Sequence, residues 1–384
     1  MSEPVTIALA GINGYGTFYL NPLLDESEKW GARLVAAIDP TAAQSPRFNE
    51  LAERGVQVFD TMDDFYRTMT ADIVVIAAPI HYHLPMIRTA VEHNSNVLCE
   101  KPLAATAEQA NELIQLEKAT PAFVAVGYQW SFSKAIQSLK KDILNGKLGK
   151  PKRLRTMTLW PRQASYYARN NWAGRMKTDD GQWVLDSPAN NATAHYLHNM
   201  FYVLGDTLNS STQPQSIAGK LYRANPIENY DSAAVRVTTD CGADVFFYTT
   251  HTVRRQRGPI FHFEFEHADV HFNIDGDSII KAHFSDGTER DYGDPNVNPL
   301  NKLAAAVAAI KDGPAPVCGI QAAAAHTRCI GMLQKQLDID RVPSDLIKVD
   351  QLEEGNTLTW VKGLAETFET AYNNWSLPTG ILSK

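Results

Sequence analysis

A doubly wound parallel α/β sheet, followed by a second α+β domain with a mostly antiparallel sheet, is the fold class this sequence predicts. Three observations predict it. Up to residue 127, short runs rich in Val, Ile, Leu and Ala alternate with helical patterns, as strand–helix–strand units do. The first run, Val5 to Ala10, stops at Gly11, Gly14 and Gly16 before a helical pattern begins. Between Gln215 and Phe284 the pattern changes to short alternating strands marked by Gly242, Gly258, Gly276 and Gly287. At 384 residues the chain is long for one core, and a division into 1–127 and 128–384 is expected.

A buried strand feeding a glycine turn and a helix makes an anion site, because free N–H groups and the helix dipole converge there. Gly11 and Gly16 hold the outer positions of G-x-G-x-x-G, the dinucleotide fingerprint, while Asn13 stands in the middle and Gly14 follows it. Asparagine tolerates left-handed torsions better than most residues, so the turn can still form. The second strand, Arg33 to Ile38, is closed by Asp39. An acid about twenty residues past the turn accepts hydrogen bonds from ribose hydroxyls and repels a 2′-phosphate, which points to NAD rather than NADP.

Thr61 and Asp64 have capping-box spacing. Asp72 to Pro79 reads as a fully buried strand, followed by Ile80-His81-Tyr82-His83 and a helix from Leu84 to His93. Asn96 to Cys99 runs into Glu100-Lys101-Pro102, Thr106 and Gln109 cap another helix, and Phe123 to Val126 gives a further strand. In such sheets ligands collect at the carboxyl ends of strands, where Gly14, Asp39, Pro79 and Lys101 fall.

In the second domain, Leu154 to Trp160 reads as a strand leading to a loop with Trp160, Arg162, Tyr166, Tyr167, Arg169 and Trp172. Such rings stack on sugar faces, and the guanidinium groups suit an acidic or polyhydroxy ligand. Strands follow at Ile217–Tyr222, Ala233–Thr238, Ala243–Thr249, Ile260–Glu266, Val270–Ile274 and Ser278–Phe284. Phe261, Phe263 and Phe265 alternate with His262, Glu264 and Glu266, so one face is packed and the other polar. Leu300, Leu303, Val307 and Ile310 form one helical stripe, and Val361, Leu364, Phe368 and Tyr372 another.

Hydrophobic content of 44% and charged content of 21% are those of an ordinary globular protein. A net charge of −7 disfavours nucleic acid or an anionic membrane as a partner. No apolar run reaches membrane-spanning length, the N-terminus lacks a signal-like core, and the four cysteines show no CxxC pairing, so a cytoplasmic protein is expected. His81 and His83, with His195 and His198, invite a metal, but no compact ligand set accompanies them and none is expected.

With Glu100-Lys101-Pro102 following Ala78-Pro79 and His83, the chain resembles the glucose–fructose oxidoreductase/inositol dehydrogenase (Gfo/Idh/MocA) family. The similarity continues in Gly127-Tyr128-Gln129-Trp130, in Ser133 to Asn145, in Leu148 to Pro151 and in Asp186 to Gly205. The resemblance implies a Rossmann domain and an open-sheet domain that forms a homodimer or homotetramer. It implies an NAD(P)-dependent dehydrogenase or reductase acting on a hydroxyl or ketone of a sugar, polyol or sugar acid. It places Gly11, Asn13, Gly14, Tyr15, Gly16, Asp39, Ala78, Pro79, His83, Glu100, Lys101 and Gln129 at the cofactor. Trp160, Arg162, Tyr166, Trp172 and His198 are assigned to the substrate.

The resemblance makes Lys101 a hydrogen-bond partner of the reacting oxygen and maps the family histidine to His195. The aspartate that members carry four residues earlier is Asn191 here, so His195 either lacks a carboxylate partner or takes one from Asp186. A histidine titrates near neutral pH and suits proton acceptance from an alcohol. A lysine beside oxidised nicotinamide has its pKa lowered by the positive ring. Two other functions share these motifs: a glycosidase working by transient oxidation and elimination, and a nucleotide-binding sensor without turnover, which Asn191 favours.

Overall fold

The computed structural model describes residues 3–274 and 276–379 and divides the chain into two compact units. The first comprises residues 3–132 and 298–324, and the second 133–297 and 325–379. In the first unit, β1 (Val5–Ala10), β2 (Ala32–Ile38), β3 (Gln57–Phe59), β4 (Ile73–Ile76), β5 (Asn96–Cys99) and β6 (Val124–Val126) form one six-stranded sheet. Its order is β3-β2-β1-β4-β5-β6 with every pairing parallel. The strand order reverses beside β1, so the ends of β1 and β4 flank the switch point at which such sheets bind ligands.

Residues 73–76 are all buried, as the unbroken apolar run requires, but the strand is shorter than Asp72–Pro79. The pairing ends after Ala77 N–H reaches the Ala10 carbonyl (2.8 Å), and the chain turns at Pro79. The capping box predicted at Thr106 and Gln109 is complete, both halves being made. Thr61 likewise accepts from Asp64 N–H at 3.1 Å.

The second unit is built on a nine-stranded sheet. Its strands are β7 (Pro151–Leu159), β8 (Pro214–Arg223), β9 (Ser232–Thr239), β10 (Asp244–Thr250), β11 (Arg257–Phe265), β12 (Ala268–Phe272), β13 (Ile280–Phe284), β14 (Glu289–Gly293) and β15 (Ile339–Arg341). The pairings β7–β10 and β8–β15 are parallel and the rest antiparallel. Phe261, Phe263 and Phe265 are buried and His262 and Glu264 half-buried, as the alternation predicted. The face bearing Met157, Phe246, Tyr248 and Ile260 packs on the C-terminal helix Leu364–Asn373 through Leu364, Phe368 and Tyr372.

Two assignments from sequence change. Val361 is not on that helix; it ends β17 (Thr357–Val361), which pairs with β16 (Ile347–Gln351) as a separate hairpin. The intervening Gly363 adopts φ +79°, which breaks the helical stripe after Val361. Gly258 marks no turn between strands. It lies within β11 at an irregularity, with φ +76°, and a β-carbon there would stand 2.4 Å from the Met157 carbonyl oxygen of β7. Short β14–β17 lack enough apolar alternation to be seen in the sequence.

The glycine turn of the first unit makes a stability test. A β-carbon on Gly16 would lie 2.0 Å from the Gly11 carbonyl oxygen, whereas one on Gly14 meets nothing within 4 Å. Gly16→Ala is expected to lower the urea midpoint by several times the loss caused by Gly14→Ala, which bears only the left-handed torsion, about 1–2 kcal/mol. Equal losses would show that the backbone contact is not tight.

Candidate functional site

At the carboxyl end of β1 the chain turns through Gly11, whose φ is +82° and whose missing β-carbon would lie 2.9 Å from the Ala77 carbonyl oxygen. Gly14 has φ +55° and open space beside it. A short 3-10 turn, Gly14–Gly16, then leads into the helix Thr17–Asp25. The cradle is thus closed below by Gly11 and Gly16 and open at Gly14, where the turn feeds the N-terminal end of a helix, which fits a pyrophosphate. Asn13 departs from expectation. Its backbone is extended (φ −91°), and its side-chain amide donates to the Thr41 carbonyl at 2.9 Å, so the left-handed torsions fall on the glycines alone. Tyr15, 48% exposed, stacks on Phe18 at the rim.

Asp39 is buried at the end of β2. One carboxylate oxygen accepts from Ile12 N–H (2.9 Å), and the other from Thr41 N–H (2.8 Å) and hydroxyl (2.6 Å). Burial pushes its carboxyl up, but the hydrogen bonds from Thr41, Ile12 and Asn13 outweigh this and hold it below the usual carboxylate range. Asp39 therefore braces the glycine turn against β2. Ala78 and Pro79 are half-buried where the chain leaves β4, and Gln129 is half-buried at the start of the turn Gln129–Phe132. His83, placed at the cofactor from sequence, is buried, and its ring spans the Pro102 (2.7 Å) and Ala78 (3.0 Å) carbonyls. A neutral imidazole has one N–H, so the ring donates to one of these carbonyls and packs against the other; it makes no side-chain cap on its own helix.

Glu100 is 5% exposed, and one of its oxygens accepts from Tyr19 O–H (2.6 Å) and from the Lys302 ammonium. Its other oxygen accepts from the Lys101 N–H at 3.1 Å. Lys302 is 0% exposed, with the rings of Tyr15, Phe18 and Tyr19 5.7, 5.1 and 5.0 Å from its ammonium. Gly127 is needed here, since a β-carbon would stand 2.7 Å from the carboxylate. Burial alone would raise the Glu100 pKa; the charge and hydrogen bond of Lys302, then Tyr19 and the charge of Lys101, lower it below the usual range. The half-buried Lys101 thus grows from a turn whose preceding residue is an anchored anion. Lys302 and Tyr19 were not singled out from sequence. Lys302 shares the buried stripe of its helix Asn301–Ile310 with Leu303, Ala306 and Val307, and a lysine on such a stripe is a readable sign of a buried acid.

In the second unit, Trp160, Arg162, Tyr166 and Trp172 form one cluster. The Arg162 guanidinium lies 5.6 Å from the Trp160 ring and 5.1 Å from Tyr166, while Arg169 lies 3.8 Å from Tyr166 and 5.2 Å from Trp172. Asn191 donates to Asp186 at 2.8 Å, and the other Asp186 oxygen accepts from Gly174 N–H at 2.6 Å. A carboxylate from earlier in the loop therefore stands beside position 191. His195 is half-buried in the first turn of the helix Ala194–Val203, and every residue from Tyr196 onward is buried. His198, assigned to the substrate from sequence, lies on this buried part of the helix. His198 is buried against Tyr202, and burial, with His326 and Lys140 nearby, pushes its pKa well below the usual value.

Among the described residues one set of metal-type ligands comes together: His262, Asp269 and His271. Arg155 donates to His262 Nδ1 (3.0 Å), so Nε2 carries the hydrogen and donates to Asp269 (2.6 Å). A hydrogen-bonded chain beside a guanidinium accounts for this cluster. No described helix is long and apolar enough to cross a membrane.

Residues 5–128 match the family described as oxidoreductase family, NAD-binding Rossmann fold. Inositol 2-dehydrogenase of Corynebacterium glutamicum is 28% identical over 171 residues, 44% of this chain and 50% of that protein. The 2,7-anhydro-N-acetylneuraminate hydratase of Mediterraneibacter gnavus is 26% identical over 199 residues, 52% of this chain and 48% of that protein. The match thus spans about half the length of these relatives. A levoglucosan dehydrogenase solved in complex with NADH superposes with a TM-score of 0.70 at 15% identity, covering 86% of this chain and 95% or more of its own (96%). That likeness concerns the fold.

The Glu100–Lys302 pair yields a stability prediction. Lys302→Met leaves a buried carboxylate uncompensated and is expected to cost about 3–5 kcal/mol in urea unfolding. Adding Glu100→Gln should restore part of it. Additive losses in the double variant would mean the two charges do not depend on each other.

Proposed function

Because the first domain of this chain belongs to the Gfo/Idh/MocA family of NAD-binding oxidoreductases, we propose that the protein is an NAD-dependent oxidoreductase of a sugar, polyol or sugar acid. The observation that carries the proposal is the open glycine cradle at Gly14, at the switch point of the parallel sheet. Gly11, Asn13, Gly14, Tyr15 and Gly16 would hold the pyrophosphate, and Asp39 the adenosine ribose. A carboxylate held ionised by Thr41 and Ile12 repels a 2′-phosphate, and this supports NAD over NADP. Ala78, Pro79, Glu100, Lys101 and Gln129 are assigned to the nicotinamide end.

When bound, the nicotinamide supplies hydride acceptance or donation. The remaining work is proton handling. We assign His195 as the base that takes the hydroxyl proton and Lys101 as the donor that holds the same oxygen as its bond order rises. The anchored Glu100 fixes the backbone from which Lys101 extends. Asp186, through Asn191, supplies the negative charge that the usual aspartate would bring near His195. Trp160, Arg162, Tyr166 and Trp172 form the substrate wall. The partner is a small carbohydrate, and self-association into a homodimer or homotetramer is assigned to the open sheet of the second unit.

A second possibility has one observation in its favour, the relative named as a hydratase. Chemistry with transient oxidation, including glycoside cleavage by elimination, would use the same residues but return the hydride, so product would form without NADH.

A screen of sugars, polyols and sugar acids with NAD, following absorbance and product together, tests the proposal. NADH in proportion to product is expected; product without NADH selects the second possibility, and bound NAD with no product selects a sensor. Lys101→Ala should lower kcat at least about a hundredfold, within the range of proton-transfer catalysis, with little change in NAD affinity. Unaltered turnover would remove lysine from the mechanism. Asp39→Ala should weaken NAD and narrow its advantage over NADP, and an unchanged cofactor preference would count against the ribose assignment.

A further inference from the structure

The loop cluster of the second unit carries more positive charge than its surroundings neutralise. Arg162 makes no ion pair among the described residues; it donates to the adjacent Pro161 carbonyl (3.3 Å), and its Nε is buried without a hydrogen-bond partner. Asp186, 3.8 Å from Arg169, is the carboxylate beside the guanidinium groups, already engaged by Gly174 and Asn191, while the buried Asp231, on the Tyr167 side, is taken up by the N–H groups of Ala224 and Asn225. Two guanidinium groups thus face one acid.

Behind them His251 is 1% exposed. The Arg162 N–H donates to its backbone carbonyl (3.1 Å), and Tyr166 meets its ring edge-on at 5.4 Å. The Tyr167 hydroxyl sits 3.3 Å from Nδ1, while Nε2 is buried with no partner. Burial first, then the charges of Arg162 and Arg169, keep this imidazole neutral, so it does not add to the charge. With the phenol hydrogen donated to Nδ1, the ring hydrogen lies on Nε2 as an unsatisfied buried donor.

We infer that Arg162, backed by Tyr166, Arg169 and His251, is a carboxylate subsite, and that the substrate is an acidic sugar, an aldonate or uronate, rather than a neutral polyol. This deepens the proposed oxidoreductase function and rests on it for the word substrate. A neutral hydroxyl would satisfy a donor but leave the surplus charge in a half-buried place, whereas a carboxylate satisfies both. The planar guanidinium fork, held over the Trp160 and Tyr166 rings, matches the two coplanar oxygens of a carboxylate. A phosphate dianion would meet stronger repulsion from Asp186.

Calorimetry of the full chain with D-glucuronate, D-gluconate, D-glucose, D-glucitol and D-glucose 6-phosphate, run beside NADH formation, tests it. At least one acid should bind about tenfold or more tighter than its neutral counterpart, a margin set by one charge-assisted bidentate pair. Arg162→Met should abolish that margin while leaving NAD affinity unaffected, and Arg162→Lys should keep part of it. Thermal melts establish that each variant is folded, and should Arg162→Met not fold, the lysine variant and the wild-type preference decide. Acid binding lost in these variants without NADH formation would sink the redox function and keep the subsite. Oxidation of neutral sugars alone, tighter binding of the phosphate, or acid binding untouched in Arg162→Lys and Arg162→Met would overturn the subsite.

Discussion

The buried Glu100 carboxylate is the constraint to which the first unit is fitted. It takes hydrogen bonds from Tyr19 in the first helix, from Lys302 in a helix two hundred and two residues later, and from the Lys101 backbone. A buried charge survives only when paired and hydrogen-bonded, so the chain supplies a fully buried lysine, three aromatic rings around it and a glycine at 127. The consequence is positional. The turn at the end of β5 cannot shift without uncovering an anion, and the side chain of Lys101 leaves from a fixed point. The same pair helps to tie the segment 298–324 to the first unit, together with the hydrogen bond from Val126 N–H to the Cys318 carbonyl (2.8 Å).

A similar economy governs the glycine turn. Asp39 reaches back from β2 to the N–H groups of Ile12 and Asn13, and the Asn13 amide reaches forward to Thr41. Turn and strand end therefore hold each other, so any discrimination by Asp39 among ribose substituents is made by a carboxylate already oriented. His83 does the equivalent under β4 and β5, its ring bridging Ala78 and Pro102. Preorganisation of this kind keeps the entropy of ordering loops out of the binding step.

The second unit organises its polar residues differently. Guanidinium groups lie over indole and phenol rings, and Asn191 donates to Asp186, brought to it by the preceding loop. The helix that follows exposes little beyond its first turn. That is why His195 and His198, three residues apart and alike in sequence, differ so much in surroundings.

The sequence alone determined the parallel sheet of the first unit, because unbroken apolar runs and glycine stops are local consequences of burial on both faces. It likewise determined the caps at Thr61 and Thr106, the packed and polar faces of β11, and the grouping of Trp160, Arg162, Tyr166 and Trp172 within one short loop. What only the tertiary structure decided are the features whose cause lies far along the chain. Lys302 finds Glu100 across more than half the chain, His251 comes up behind Arg162 from β10, His198 is buried by the elements around its helix, and Gly258 serves a close approach to β7 rather than a turn. Periodicity reports whether a residue is buried, but the partner that makes a buried charge or imidazole tolerable is chosen by packing between distant segments.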